Sequence, residues 1–177
     1  MSPISFPVNV ARLPQRGMEV TIEADETQRA ALAAGHDLVG VSSLVAEMTV
    51  TSWKKGGVRV GGRIRARIVQ SCIVTLEPVE GSVDEEVSAL FLPEGSRLVV
   101  PKRSAEGEIL LDAEGEDAPE TFSGDTIDIG ALAEEFFELG IDPWPRKAGA
   151  SLPGTADLPD EPAGPLSEQL RQLRRKL

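Results

Sequence analysis

From Ser43 to Leu92 apolar and polar positions alternate with a period of two, the pattern of half-buried strands joined in an antiparallel meander. Leu44, Ala46, Met48 and Val50 share one face of the first strand; Val45, Glu47, Thr49, Thr51 and Trp53 share the other. The second strand is sharper still, with Val58, Val60, Ile64, Ala66 and Ile68 set against Arg59, Arg63, Arg65 and Arg67. Between them lies Lys54-Lys55-Gly56-Gly57, and a three-residue loop of Lys55, Gly56 and Gly57 keeps like faces together. That loop predicts Met48 opposite Ile64, Glu47 opposite Arg65, and Trp53 against Arg59 as a cation-π pair worth roughly 0.5 to 1 kcal/mol.

Other elements follow from local signals. Met18 to Glu23 alternates like a strand. Ala24 to Gly35 reads as a short helix, with Asp25 and Gln28 spaced as a capping box and Gly35 at the stop. A third long strand runs from about Val79 or Val83 to Leu92 after a crossover, Cys72 to Pro78, whose Pro78 belongs at an edge or bend. Leu98 to Val100 and Ile109 to Leu111 are short strand candidates around the basic Pro101-Lys102-Arg103, and Asp112 to Glu120 reads as an exposed acidic loop. The second helix has Asp128 as N-cap, Ile127 and Leu132 placed for a hydrophobic staple, and Gly140 at its end. Ile129, Leu132, Ala133, Phe136 and Leu139 form its predicted core stripe, with Phe136 closing the core and Glu134, Glu135 and Glu138 facing water.

The pattern therefore predicts an α+β fold: a mainly antiparallel β-meander sheet, able to curl toward a barrel, packed by two short helices and followed by a flexible C-terminal tail. Residues 1–147 form the domain, 148–165 a Pro/Gly/Ala linker, and 166–177 a basic amphipathic tail. In the tail Leu166, Leu170, Leu173 and Leu177 line up at helical spacing beside Arg171, Arg174, Arg175 and Lys176.

Composition narrows the chemistry. The 177 residues are 41% hydrophobic with few aromatics, so a sizeable aliphatic core is available and disorder throughout is excluded. No apolar run reaches the length of a membrane span and no signal peptide opens the chain, which predicts a soluble, cytoplasmic protein. The net charge is −11, yet the tail carries four cations against Glu168, so the remainder holds −14. An anionic body opposes bulk attraction to nucleic acid, and contact must come from local basic patches.

Reaction centres are hard to assemble from these residues. Cys72 lacks a CxxC partner, since Thr75 stands where one would fall, and reads as a small buried apolar group. His36 is alone after its helix, and the acidic run from Asp112 to Asp117 lacks the glycine and the final glutamate of a calcium loop. No nucleophile has a base beside it and no glycine-rich turn opens a phosphate-cradling helix. The chain is thus read as a non-enzyme without metal or cofactor and with no small-molecule substrate. Two basic features remain. Arg59, Arg63, Arg65 and Arg67 form a ridge with Trp53, Lys54 and Lys55 at its end, which could sit on phosphates and stack a base. Alternatively the ridge pairs with Glu47, Glu85 and other strand carboxylates. The second feature is the tail, whose Arg171, Arg174, Arg175 and Lys176 suit RNA, an anionic surface or a protein groove.

The order of the meander with its turn Cys72-Ile73-Val74-Thr75-Leu76-Glu77-Pro78-Val79, then Phe91-Leu92-Pro93-Glu94, then Asp125-Thr126-Ile127-Asp128-Ile129 entering a Glu-rich helix, then Asp142-Pro143-Trp144-Pro145-Arg146-Lys147, resembles the YceD family of large ribosomal RNA subunit accumulation proteins. The resemblance spans roughly residues 5 to 147, and the apolar-basic tail is similar as well. It implies a ribosome-biogenesis factor supporting accumulation of large-subunit (23S) ribosomal RNA through synthesis, processing or stability, with that RNA or a ribosomal protein as partner. Relatives with a CxxC at the turn and later cysteines could hold a metal; here Thr75, Arg146 and Lys147 occupy those places. Two other readings stand beside it: an adaptor or chaperone for a basic ribosomal protein without RNA contact, and a hydrolase acting through clustered carboxylates in a deep pocket.

Overall fold

The computed structural model describes residues 2–96 and 119–151. Five strands make one sheet in the order β2-β3-β4-β5-β6: Met18–Glu23, Gly40–Trp53, Gly57–Ser71, Pro78–Pro93 and Glu120–Phe122. β2 to β5 are antiparallel and β6 runs parallel to β5, so the architecture is α+β with an open, mostly antiparallel sheet whose edges, among the described residues, are β2 and β6. A small second sheet pairs β1 (Pro7–Asn9) with β7 (Thr126–Asp128). The helices are α1 (Glu26–Gly35) and α2 (Ile129–Leu139).

Both helices lie over the apolar face of the sheet. α1 starts at Asp25, whose carboxylate accepts from the Gln28 amide (2.8 Å) while the Gln28 side chain accepts from the Asp25 amide (2.9 Å), completing the predicted capping box. Its C-cap His36 reaches α2, with Nε2 3.2 Å from Glu134 Oε1 and its ring edge-on to Phe137 at 5.4 Å. α2 starts at Asp128, which accepts from the Ala131 amide and holds the N-terminal segment through Ser5 Oγ (2.6 Å) and the Phe6 amide (2.8 Å). Ile127 and Leu132, the predicted staple, are both buried.

Two packing predictions need correction. The buried stripe of α2 is Ile129, Gly130, Leu132, Ala133 and Phe137, while Phe136 is half-buried and Leu139 is exposed. The cause is the N-terminal segment, which crosses so close to α2 that a side-chain carbon on Gly130 would lie 1.8 Å from the Ile4 carbonyl oxygen. That contact rotates the helix until Gly130 faces inward and Phe137, not Phe136, closes the core.

The register of β3 on β4 also differs. Met48 faces Gly62, Glu47 faces Arg63 and Trp53 faces Gly57, with the connecting turn at Lys54–Gly56 rather than 55–57. Lys55 (φ 56°) and Gly56 (φ 80°) both take left-handed backbone there. The shift of two residues keeps every side chain on its predicted face but changes the partners. It stacks large on small along the core: Met48 on Gly62, Ala46 on Ile64, Leu44 on Ala66. The predicted register would have set Met48 on Ile64 and left Ala46 on Ala66, a clash beside a void. Packing volume therefore decides between two registers that polarity cannot separate.

The segment Cys72 to Glu77 is the loop of a hairpin between β4 and β5 rather than a crossover, and Pro78 is the first residue of its strand. Expectations for 97–118, including the basic Pro101-Lys102-Arg103, and for 152–177 fall outside the described residues; Glu120, assigned to the acidic loop, begins β6.

Candidate nucleic-acid interface

Strict alternation along β4 delivers the arginines to one face. Val58, Val60, Ile64, Ala66 and Ile68 are buried beneath the helices, so Arg59, Arg63, Arg65 and Arg67 stand exposed on the opposite side. At about 3.4 Å per residue the row from Arg59 to Arg67 is roughly 27 Å long. Lys54 and Lys55 sit exposed in the turn at one end, and Trp53 packs on Gly57 and the buried Leu92. The indole meets Lys54, whose Nζ lies 5.7 Å from the ring centroid, in place of the predicted Arg59. The observed register accounts for this, since Arg59 lies across from Thr51 and Leu90. All seven predicted basic or aromatic residues of the meander thus share one face and its end. Arg171, Arg174, Arg175 and Lys176 lie outside the described residues.

The face is not uniformly cationic. Arg63 grips Asp84 with two hydrogen bonds, Nε to Oδ1 at 2.5 Å and a terminal nitrogen to Oδ2 at 2.9 Å. The pair raises the Arg63 pKa and holds the Asp84 carboxyl below the usual range, because a hydrogen bond and the opposite charge both favour ionisation. Arg65 donates to Glu47 at 3.1 Å and lies 4.0 Å from Asp84. Asp84 is one of the other strand carboxylates expected to pair with the ridge, whereas Glu85, the one named beside Glu47, faces Ile64 on the other side near Gly140. Reading Asp84 from sequence would have required the β4–β5 register, because its place opposite Arg65 is set by pairing and not by periodicity.

Arg67 is placed differently. Its cross-strand neighbours are Ser43 on β3 and Ser82 on β5. Among the described residues no carboxylate pairs with its guanidinium. Arg65, Arg67 and the two serines border a groove of about 390 Å³ on this face, together with the carboxylates Glu47 and Asp84 that Arg65 and Arg63 hold. Neither serine was singled out in the sequence, and again only the register reveals them.

At the far end of β4, Cys72 is fully buried. Its sulfur accepts from the amides of Lys147 (3.4 Å) and Thr75 (3.5 Å), and these bonds lower the thiol to about 6 although burial opposes them. Lys147 Nζ pairs with Glu77 at 2.8 Å, and the Ile73 amide donates to the Pro145 carbonyl at 3.0 Å. One sulfur beside a lysine does not fit zinc, which takes four thiolate, imidazole or carboxylate ligands in a structural site. No group of three or more His, Cys, Asp or Glu suited to a metal occurs among the described residues. The hairpin loop and the segment after α2 are instead tied by hydrogen bonds and an ion pair. Among the described residues the only buried polar or charged side chain is Gln70; the carboxylates Glu120, Asp128 and Glu135, which border a pocket beside α2, are exposed or half-buried.

A family model described as "Large ribosomal RNA subunit accumulation protein YceD" matches residues 60–172, more than half of the chain. The chain belongs to the YceD family. The match begins inside β4 just after Arg59, contains Arg63, Arg65, Arg67, the loop of the β4–β5 hairpin, β5 and α2, and extends past the closing Pro143-Trp144-Pro145 into the tail as far as Gln172. It starts later and ends later than the stretch whose motifs carried the resemblance. No curated protein and no solved structure matches the chain. The YceD family name points to a role in large-subunit ribosomal RNA accumulation, and no helix among the described residues is long and apolar enough to cross a membrane.

Proposed function

We propose that this YceD-family protein is a non-enzymatic ribosome-biogenesis factor that supports accumulation of large-subunit ribosomal RNA by touching that RNA with the open face of its sheet. The observation that carries the reading is the sorting of β4: every arginine of the strand projects from the face that no helix covers, and three of the four, Arg63, Arg65 and Arg67, lie inside the stretch that matches the family. A sheet face with cations and a groove accepts a backbone without demanding a sequence, which suits a factor that stabilises or escorts RNA. The anionic remainder of the chain suppresses indiscriminate attachment to other polyanions. The tail, with Arg171, Arg174, Arg175 and Lys176, adds a second basic element on a Pro/Gly/Ala linker. The reading places the protein in the cytoplasm, where ribosomes assemble.

Crosslinking in cells followed by sequencing of bound RNA tests it, with tail-deleted protein as control. Enrichment of large-subunit RNA over small-subunit RNA is expected, together with a fall in the ratio of the two when the gene is removed. The ion-pairing of Arg63 and Arg65 favours a second reading, an adaptor for a basic ribosomal protein. That adaptor would keep its partner in a pulldown from nuclease-treated lysate and give no RNA crosslinks.

A further inference from the structure

Arg63, Arg65 and Arg67 are chemically unequal, and we infer that of these three it is Arg67, set across from Ser43 and Ser82, that is the phosphodiester-binding residue of the sheet face. The inference rests on the RNA reading above and narrows it from a ridge to one residue.

Arg63 spends two of its five donors on Asp84, in the bidentate geometry that matches a carboxylate as well as it would match a phosphate. Arg65 is held between Glu47 and Asp84. An RNA phosphate approaching either would have to displace a tethered carboxylate that already sits at the guanidinium, and the exchange gains little. At Arg67 the register changes the chemistry: where Arg65 has Asp84 directly across on β5, Arg67 has Ser82, and on β3 it has Ser43. The next carboxylate along β5, Glu80, borders a neighbouring pocket that Arg146 also lines. A guanidinium flanked across both strands by serines offers donors for an oxyanion, and the two carboxylates that line the same groove, Glu47 and Asp84, are already held by Arg65 and Arg63. The adjoining groove of about 390 Å³ has room for the diester and part of its sugar. One uncompensated cation matches the single charge of a phosphodiester, and the open sheet leaves the chain free to run along the face.

The test uses the full-length protein and a fluorescent fragment of large-subunit ribosomal RNA, with affinity measured by anisotropy over a salt series. Arg67→Gln is expected to weaken binding several-fold regardless of RNA sequence and to reduce the salt slope by about 0.7 to 0.9, the loss of one phosphate contact. Ser82→Asp gives Arg67 the cross-strand acid that Arg65 has, and is expected to reproduce the loss. The charge-balanced double variant Arg63→Gln with Asp84→Asn is expected to leave affinity and slope unchanged. All three sites are exposed, so folding is checked simply by the melting curve. If the wild type binds and Arg67→Gln behaves like the Arg63/Asp84 double variant, the assignment to Arg67 is overturned while RNA contact stands. If the wild type shows no salt-dependent binding, RNA contact itself falls and the site with it. Phosphatidylglycerol vesicles offer the same diester from a lipid; Arg67-dependent binding to them in preference to RNA would overturn the choice of partner.

Discussion

The two faces of β4 are built from the same fifteen residues, Gly57–Ser71, and obey different rules. The inner face is sorted by volume. Met48 fills the space over Gly62, Ala46 yields to Ile64, and Leu44 rides on Ala66, so these three central layers of the core each hold one large and one small side chain. The outer face is sorted by charge: Arg63 with Asp84, Arg65 with Glu47, and Arg67 across from serines, with no carboxylate paired to it among the described residues. Volume is unforgiving because a buried gap or overlap has nowhere to relax, whereas exposed ion pairs are screened by water and salt. Changes to the inner face should therefore appear as lost stability, and changes to the outer face as altered binding at constant stability.

The largest effect should come from the ring that closes the core. Phe137 is fully buried and meets His36 edge-on, so Phe137→Ala should cost about 3 to 5 kcal/mol in denaturant unfolding. Phe136→Ala, truncating a half-buried ring one position away, should cost clearly less; equal losses would mean that α2 is not rotated as described. Next is Gly62. A side-chain carbon there would stand 2.2 Å from the Glu47 carbonyl oxygen and 2.9 Å from Met48 Cγ, contacts that backbone cannot relieve cheaply. Gly62→Val should destabilise by about 1 to 3 kcal/mol, the usual penalty of overpacking. Had β3 paired in the other register, Gly62 would face Val50, and the same substitution would be judged against a different neighbour.

Those two tests bear on what the amino-acid pattern could convey. Elements whose cause is local were legible. β2 begins and ends at Met18 and Glu23 as its alternation says, the α1 capping box needs only Asp25 and Gln28, and four arginines at even spacing from their apolar neighbours could only reach one face. What depends on distant residues was not legible. The turn at Lys54–Gly56 is chosen by how Met48 meets Gly62, and the rotation of α2 is chosen by Ile4, which is remote in sequence. The pairing of β1 with β7 joins two three-residue strands from the ends of the domain, too short to show a period. The site suffered the same limit: the arginines were visible, but Asp84, Ser43 and Ser82 acquire their roles only through register, and with them the distinction between occupied and open guanidinium groups.

Asp128 links the two rules, since it caps a core helix with a charge that is partly buried. Burial pushes its carboxyl up, but hydrogen bonds from Ser5, Phe6, Ala131 and Gly130 together outweigh burial and hold the pKa below the ordinary value. Asp128→Ala should cost about 0.5 to 2 kcal/mol, the range for a lost N-cap. The sign of the pH dependence follows from the lowered value. The folded state favours the ionised form, so the stabilisation is complete above the unfolded pKa of about 3.9 and disappears as pH falls through the folded one. Asp128→Asn keeps a capping oxygen without the charge, so its stability gap to the wild type should close as the pH is taken below about 4. A gap that stayed constant into acid would show that geometry alone, not charge, matters at this cap.

The smallest expected effect is the one most informative about the outer face. Replacing Arg63 by Gln together with Asp84 by Asn removes a bidentate pair whose atoms are as close as 2.5 Å, which on contact geometry alone is the strongest interaction of that face. Both side chains are nevertheless half exposed, at 54% and 50%, so each charge is almost as well solvated by water as by its partner. The double variant should melt within experimental error of the wild type at moderate salt. The single variant Asp84→Asn should also leave stability nearly untouched, yet it frees Arg63 and loosens Arg65, and so should strengthen RNA binding and steepen its salt dependence. A drop in melting temperature as large as that of Gly62→Val would mean that charge holds the sheet together as volume does, and the division between the two faces of β4 would be lost.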